Sequence, residues 1–416
     1  MSKYIIHGGE RLEGELRIDA SKNAVLPIIA ATILSGETTH LYNCPKIEDV
    51  ETMLEILRQL GCNIKWDNKT LIIDTSTIKS YDIPEQLVRK MRSSIILLGA
   101  IIGKFGKARI SYPGGCPLGA RPIDLHLSAF KKMGITVTEE HGFIICKSPH
   151  LQGAKIHLDF PSVGATENIM LAATLATGDT IIYNTAREPE IVDLQNYLNA
   201  SGAKISGAGT ETIYIQGVKK LHSVAYKVIP DRIIAGTYLV AAAITRGTIT
   251  LKDVRPDHLR AITSKLEETG CTIIEETDRI TLISPKKLKG VNITTEPYPG
   301  YPTDMQSQMM ALLCTCGEMS IIKENLFEAR FKAAYELIRM GANINIEGKI
   351  AIIKSTPFLM GTNVYAEDLR GGAALVLAGL GAQGDTVVEN IHHIQRGYQD
   401  IALDLRSLGA SIQEKE

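Results

Sequence analysis

The sequence predicts an α/β chain of six βαβαββ units, three in each of two domains. Three observations carry that prediction. Gly36, Gly106, Gly178, Gly247, Gly317 and Gly384 each close an apolar run and recur every 67 to 72 residues. Gly61, Gly134, Gly202, Gly270, Gly341 and Gly409 each close an amphipathic run, and all but the last are followed by two strand-like runs. The length of 416 residues exceeds what one hydrophobic core ordinarily serves.

Within a unit the elements follow in order. A short strand leads into a helix that is apolar nearly all round, as in AVLPIIAATIL, SIILLGAIIG, ENIMLAATLA or AGTYLVAAAI. A helix without a polar face must be buried. A strand and an amphipathic helix come next, as in DVETMLEILRQLG, stopped by a glycine that tolerates the left-handed conformation. Two alternating runs such as CNIKW and TLIID complete the unit as strands with one buried face. The sixth unit stops at ASIQEKE, one strand short, and the N-terminal run from KYIIHGG to GELRID is available to supply it. Residues 1–20 are therefore assigned with 229–416, and 21–228 form the other domain. The chain would cross between domains near Ala20 and Val228, as a hinge would require.

The formal net charge of −1 gives no electrostatic footprint for nucleic acid. No apolar run reaches the ~18 residues of a membrane span, and the N-terminus lacks an apolar signal core, so a cytoplasmic protein without membrane insertion is expected. Seven cysteines include no CxxC pair and no Cys/His zinc spacing, which argues against a metal site and a disulfide framework. Cys62 and Cys271 directly follow helix-ending glycines, and Cys314 and Cys316 end an apolar run. All four read as small buried residues.

The chemistry gathers at the helix starts. These carry Ser21-Lys22-Asn23, Arg89 to Arg92, Ser162 to Glu167, Asp231-Arg232, Thr303-Asp304 and Asp368-Leu369-Arg370. A cation there opposes the helix dipole. One alone reads as a snorkelling or capping residue; several together suggest a bound anion. Arg121, Arg187, Arg330 and Arg396 each fall between a strand and an amphipathic helix, and the two basic sets would surround a cleft between the domains. The second unit is the longest between its two glycines, 28 residues against 23 to 25 elsewhere, and contains SYPGGCPLGARPIDLH from Ser111 to His126. Taken alone, Cys116 in that loop could be a redox thiol, a metal ligand, a nucleophile, an acid or a small buried residue. Extra loop length on a repeated scaffold, next to Arg121, favours a working thiol.

These motifs together resemble the enolpyruvyl transferases, in the branch whose acceptor is UDP-N-acetylglucosamine. The resemblance spans nearly the whole chain. It rests on SKNAVLP (21–27), VRKMRSS (88–94), GGCPLGARPIDLH (114–126), DFPSVGATENIM (159–170), AREPEIVD (186–193), PDRIIAGT (230–237), YPTDMQSQ (301–308), FEARF (327–331), EDLR (367–370) and RGY (396–398). It implies a two-domain inside-out α/β barrel, the fold shared with the transferases that act on shikimate 3-phosphate. It implies phosphoenolpyruvate and UDP-N-acetylglucosamine as substrates, with no metal or organic cofactor, in the first committed step of peptidoglycan synthesis. Cys116 matches the general acid, which fosfomycin would alkylate, and Asp304 matches the acceptor of the hydroxyl proton. As a residue at a helix start, Asp304 also reads as an N-cap. Lys22, Asn23, Arg121, Arg370 and Arg396 match the phosphoenolpyruvate site. Arg92, Arg121, Pro122, Ile123, Asp124, Leu125, Ser162, Val163, Gly164, Asp304 and Leu326 match the nucleotide-sugar site. For Arg330, direct contact and support of the cleft are equally open.

The chain departs from the family pattern in three places. Gln395 stands where an aspartate is usual and could orient Arg396 less firmly. Phe160 stands where some members have lysine, and Gly371-Gly372 follow the EDLR motif. Two rivals share the scaffold: transfer to shikimate 3-phosphate, which the cysteine loop disfavours, and a copy that binds the nucleotide sugar without turnover, which retention of Lys22, Cys116, Arg121, Asp304 and Arg396 disfavours. A nucleic-acid end-processing enzyme is the remote third.

Overall fold

A computed structural model describes residues 2–114 and 123–415. Six inner helices carry the apolar runs: α1 (Lys22–Ser35), α2 (Leu97–Phe105), α3 (Val163–Thr174), α4 (Arg232–Ile244), α5 (Gln306–Leu313) and α6 (Leu369–Leu380). Nearly every side chain of α1, α3, α4, α5 and α6 is buried, as helices without a polar face require. The described residues divide into two compact units, one of residues 20–114 with 123–229, the other of 2–19 with 230–415. In the first, α1, α2 and α3 pack on one another; in the second, α4, α5 and α6 do. Each unit has its own continuous hydrophobic cluster.

Around each helix trio lie three small sheets, and five of the six follow one pattern. The strand before an inner helix runs parallel to the strand after it, and two antiparallel strands extend the sheet. In the sheet of Lys107–Ser111, Thr136–Glu140 and Phe143–Lys147 the leading place holds only a parallel bridge of Asp82 with Arg109. A parallel pair needs a crossover, and the inner helix is that crossover. Amphipathic helices cover the trio between sheets, and all six glycines that end them have positive φ, from 78° to 105°. Of the glycines after the inner helices, four have positive φ; at the fourth unit Arg246 takes that conformation instead, at 58°. Gly247 there presses against the backbone of Leu12, where a Cβ would lie 2.1 Å from the carbonyl oxygen.

The N-terminus completes two sheets. Lys3–His7 is the missing strand of the sixth unit, lying between Asp385–Glu389 and Ser411–Lys415 and antiparallel to both. Glu13–Arg17 leads the fourth unit, parallel to Thr248–Lys252. Ala225–Lys227, at the end of the third unit, leads the first, parallel to Thr38–Tyr42. The backbone confirms this exchange within each unit: Ser21 N donates to Ile229 O, and Asp231 N donates to Asp19 O. Among the described residues no helix is long and apolar enough to cross a membrane. Cys62, Cys271, Cys314 and Cys316 are buried, as their positions predict.

Candidate active site

In the unit of residues 20–229, candidate side chains cluster at helix starts. Lys22 opens α1, and its Nζ lies 3.1 Å from Oδ2 of Asp49, a buried residue in the first turn of the helix Glu48–Gln59. Asn23 follows it, half-buried. Arg92 opens the 3-10 turn Arg92–Ile96 that leads into α2. Ser162 is the N-cap of α3, and its Oγ accepts from Ala165 N at 3.3 Å. Val163 and Gly164 are the first two residues of α3. Ile123 is buried at the start of the helix Asp124–Lys132, whose Asp124 and Leu125 line a cavity of about 140 Å³ with His157 and Asp159. Cys116, Arg121 and Pro122 lie outside the described residues.

His126 ties this cluster together. Its Nδ1 is 2.7 Å from Asn168 Nδ2. Burial, reinforced by the Arg92 charge, lowers its pKa to about 4, so the imidazole is neutral. Glu167, one residue along α3, is also buried; loss of solvent and the nearby Glu190 and Glu188 charges push its pKa well above the usual carboxylate value.

In the unit of residues 230–415, the centre is Asp304. The expected N-cap role is not what the side chain does: the 3-10 turn Thr303–Met305 has no side-chain cap, and the carboxylate turns to two arginines instead. Oδ1 accepts from Arg330 Nη2 at 3.0 Å and Oδ2 from Arg370 Nη2 at 3.1 Å. Both arginine side chains are 3% exposed while that of Asp304 is 28% exposed, so the pairs are buried on the arginine side and open on the carboxylate side. Burial is the largest single influence on Arg370 and acts against its charge, but Asp304, Tyr398 and Asp231 together outweigh it and hold the guanidinium above its ordinary pKa. Two further Arg370 donors, Nε and Nη1, are buried without a hydrogen-bond acceptor among the described residues. Such donors suit an added anion. Arg330 also donates to Thr303 O, so its place in this structure is support of Asp304.

Asp231 and Asp368 cap α4 and α6, each accepting from two backbone N–H groups; at these helix starts the capping explanation holds. Leu326 N donates to Glu324 Oε1 at 2.8 Å. Arg396 is half-buried at the end of the short helix His392–Gln395. Gln395 reaches toward Glu414 Oε1, 3.4 Å away, so its amide turns to the last strand. Tyr398 is buried beside Arg370, and its hydroxyl bonds Thr237 at 2.8 Å.

Three residues escaped the motif reading, and each left a signal. Glu324 falls on the inward phase of its strand with Ser320 and Ile322, and its carboxylate accepts from Thr295, Thr303, Leu326 and Phe327. Asp49 falls on the buried face of an amphipathic helix. Asn168 is a polar residue on a helix that is buried nearly all round. A polar group on a buried phase must have partners, and those partners are the site.

Comparison with known proteins gives the family. Residues 6–405 match the family described as EPSP synthase (3-phosphoshikimate 1-carboxyvinyltransferase). The chain therefore belongs to the EPSP synthase family of enolpyruvyl transferases. Within that family it is 52% identical to "UDP-N-acetylglucosamine 1-carboxyvinyltransferase 2" of Caldanaerobacter subterraneus subsp. tengcongensis, over 99% of each chain. It is 50% identical to the protein of the same name from Carboxydothermus hydrogenoformans, again over 99% of each. Among solved structures, the enolpyruvyl transferase NikO from Streptomyces tendae superposes with a TM-score of 0.90 at 27% identity, covering 100% of this chain and 99% of that one.

Proposed function

We propose that this protein transfers the enolpyruvyl group of phosphoenolpyruvate to the 3-hydroxyl of UDP-N-acetylglucosamine, releasing phosphate, as the first committed step of peptidoglycan synthesis. One observation carries the reading: 52% identity over 99% of both chains with a transferase so named. The substrates are phosphorylated and charged, so they do not cross a bilayer unaided, and the reaction is assigned to the cytoplasm.

The reaction is an addition followed by an elimination. The sugar hydroxyl attacks the central carbon of phosphoenolpyruvate, and its proton passes to Asp304. The Cys116 thiol gives a proton to the methylene carbon, making a methyl group. In the second step that methyl loses a proton, the double bond reforms and the carbon–oxygen bond to phosphate breaks. Lys22, Asn23, Arg121, Arg370 and Arg396 are assigned to the phosphate and carboxylate of phosphoenolpyruvate, for which the arginine fork is suited. Arg92, Arg121 to Leu125, Ser162 to Gly164, Asp304 and Leu326 are assigned to the nucleotide sugar. Domains of 21–228 and of 1–20 with 229–416 each supply part of this set.

The test is phosphate release from phosphoenolpyruvate with either UDP-N-acetylglucosamine or shikimate 3-phosphate as acceptor, with and without fosfomycin. Release only with the nucleotide sugar, blocked by fosfomycin and unlabelled in Cys116→Ser, is the expected result. Release with shikimate 3-phosphate alone would replace the acceptor. No release with either, in protein that binds the nucleotide sugar, would leave a binding protein.

A further inference from the structure

Glu324 ends the strand Ser320–Glu324 on its buried phase, 1% exposed, in line with Ser320 and Ile322. A carboxylate taken out of water there must be met by donors. Four meet it. Oε1 accepts from Thr295 Oγ1 at 2.8 Å, from Leu326 N at 2.8 Å and from Phe327 N at 3.1 Å, and Oε2 accepts from Thr303 Oγ1 at 3.0 Å.

Two of these donors are local. The amides of Leu326 and Phe327 follow the strand directly, and a carboxylate that only capped their turn would need nothing more. The two hydroxyls come from 29 and 21 residues away. They stand at the two ends of one loop. Thr295 is the last residue of the strand Ile293–Thr295 and bridges to Tyr301, and Glu296 N donates to Tyr301 O at 3.0 Å. Thr303 begins the 3-10 turn that carries Asp304.

Each oxygen therefore holds a different segment. On the Oε1 side, Thr295 Oγ1 also accepts from Asn325 N at 3.0 Å, so three successive amides, 325 to 327, are tied to one place. On the Oε2 side the Thr303 hydroxyl is held, and the Thr303 carbonyl oxygen accepts from Arg330, which donates in turn to Asp304 Oδ1. A carboxylate is planar and rigid, so a shift of one segment is passed to the other.

We propose that Glu324 is a positioning residue for the transfer reaction: one oxygen sets the loop of Leu326, assigned to the nucleotide sugar, and the other sets the turn of Asp304, assigned to the hydroxyl proton. The proposal rests on the function assigned above and adds a shared anchor to it. The anchor fixes the separation between the sugar and its proton acceptor, and a misplacement of about 1 Å in such a pair can cost about 10²-fold in rate. Geometry rather than charge does this. Glu324→Gln can keep every bond, its carbonyl oxygen in the place of Oε1 and its amide nitrogen donating to the Thr303 hydroxyl. Glu324→Asp keeps the charge but is one methylene too short to reach both segments.

The experiment uses the full chain. Calorimetric titration with UDP-N-acetylglucosamine gives Kd and the number of competent sites, and phosphate release gives kcat per site. Thr303→Val cuts only the Asp304 branch; kcat per site should fall about ten-fold, with Kd within about two-fold. Thr295→Val cuts only the Leu326 branch; Kd should rise about ten-fold, with kcat per site within about two-fold. Glu324→Asp should show both losses, and Glu324→Gln should recover most of each. Normalising to competent sites matters because a merely structural role would lower the number of sites and leave both quantities unchanged at those that remain. That outcome, equal losses of kcat and affinity in both threonine variants, or a Glu324→Asp enzyme more active than Glu324→Gln would each overturn the proposal. The threonine variants carry the test even where a Glu324 variant fails to fold. If the wild type turns over UDP-N-acetylglucosamine while the two branches do not separate, only this proposal fails. If the wild type neither binds nor uses that acceptor, the assigned function fails and takes this proposal with it.

Discussion

Asp304 is held more firmly than a carboxylate on an exposed turn would be. Arg330 takes one oxygen and Arg370 the other, and Arg330 is itself anchored to Thr303 O. Turning the carboxylate would break two bonds to buried guanidiniums, so the clamp restricts its orientation. A proton acceptor gains rate by being in place before the hydroxyl arrives. Asp304→Asn keeps the shape but cannot take the proton; it should retain binding of the nucleotide sugar and lose at least about 10²-fold in kcat. Arg330→Lys keeps the charge and loses the fork, so kcat should fall while KM for the nucleotide sugar changes little. Steady-state phosphate release measures both, and an Arg330→Lys enzyme with normal kcat would remove the clamp from catalysis.

At the scale of elements, α3 brings Glu167 against the region of Glu188 and Glu190, and the buried carboxylate is held protonated above its ordinary range. Its folded pKa exceeds the unfolded value of about 4.3. The folded state therefore binds more protons, and this group's contribution is complete below pH ~4.3 and declines as pH rises toward the folded pKa. Glu167→Gln removes that decline. It should raise Tm at pH 8 more than at pH 4.5, by roughly 2–4 °C for each kcal/mol recovered in a domain of this size. Thermal melts across that range check it, and equal shifts at both pH values would show that titration is not the cause. The same helix shows what was legible in sequence. The helix-stopping glycines could be read because left-handed backbone is a local demand, and all six amphipathic helices obey it. The run SIILLGAIIG reads as one helix, yet it begins as a 3-10 turn because Asn168, far away in sequence, occupies the ladder between Ile95 and Gly99. The clamp on Asp304 was hidden for the same reason. Its partners are 26 and 66 residues away, and only tertiary packing brings them together.

For the whole molecule, the decisive feature is where the first nineteen residues pair. Three-residue strands such as Ala225–Lys227 carry too little pattern to announce a partner, so sequence left the exchange of leading strands unread. The structure makes Lys3–His7 an interior strand: without it Ser411–Lys415 has no strand beside it. Tyr4, Ile6, Leu12 and Ile18 are all at most 2% exposed. At roughly 1.5–3 kcal/mol each, their burial is comparable with the whole net stability of a domain, about 5–15 kcal/mol. Residues 230–415 alone should therefore fail to fold cooperatively. The remedy follows from register, since Lys3 lies opposite Lys415 in an antiparallel pair. A short turn such as Asn-Gly can join those ends as a hairpin. A permuted half, 230–415 followed by that turn and 3–19, should give one cooperative melt and dispersed amide resonances where the truncated half gives neither. Equal melts for the two pieces would mean that the N-terminal strands only decorate a unit complete without them, and the division of the chain would have to be redrawn at Pro230 alone.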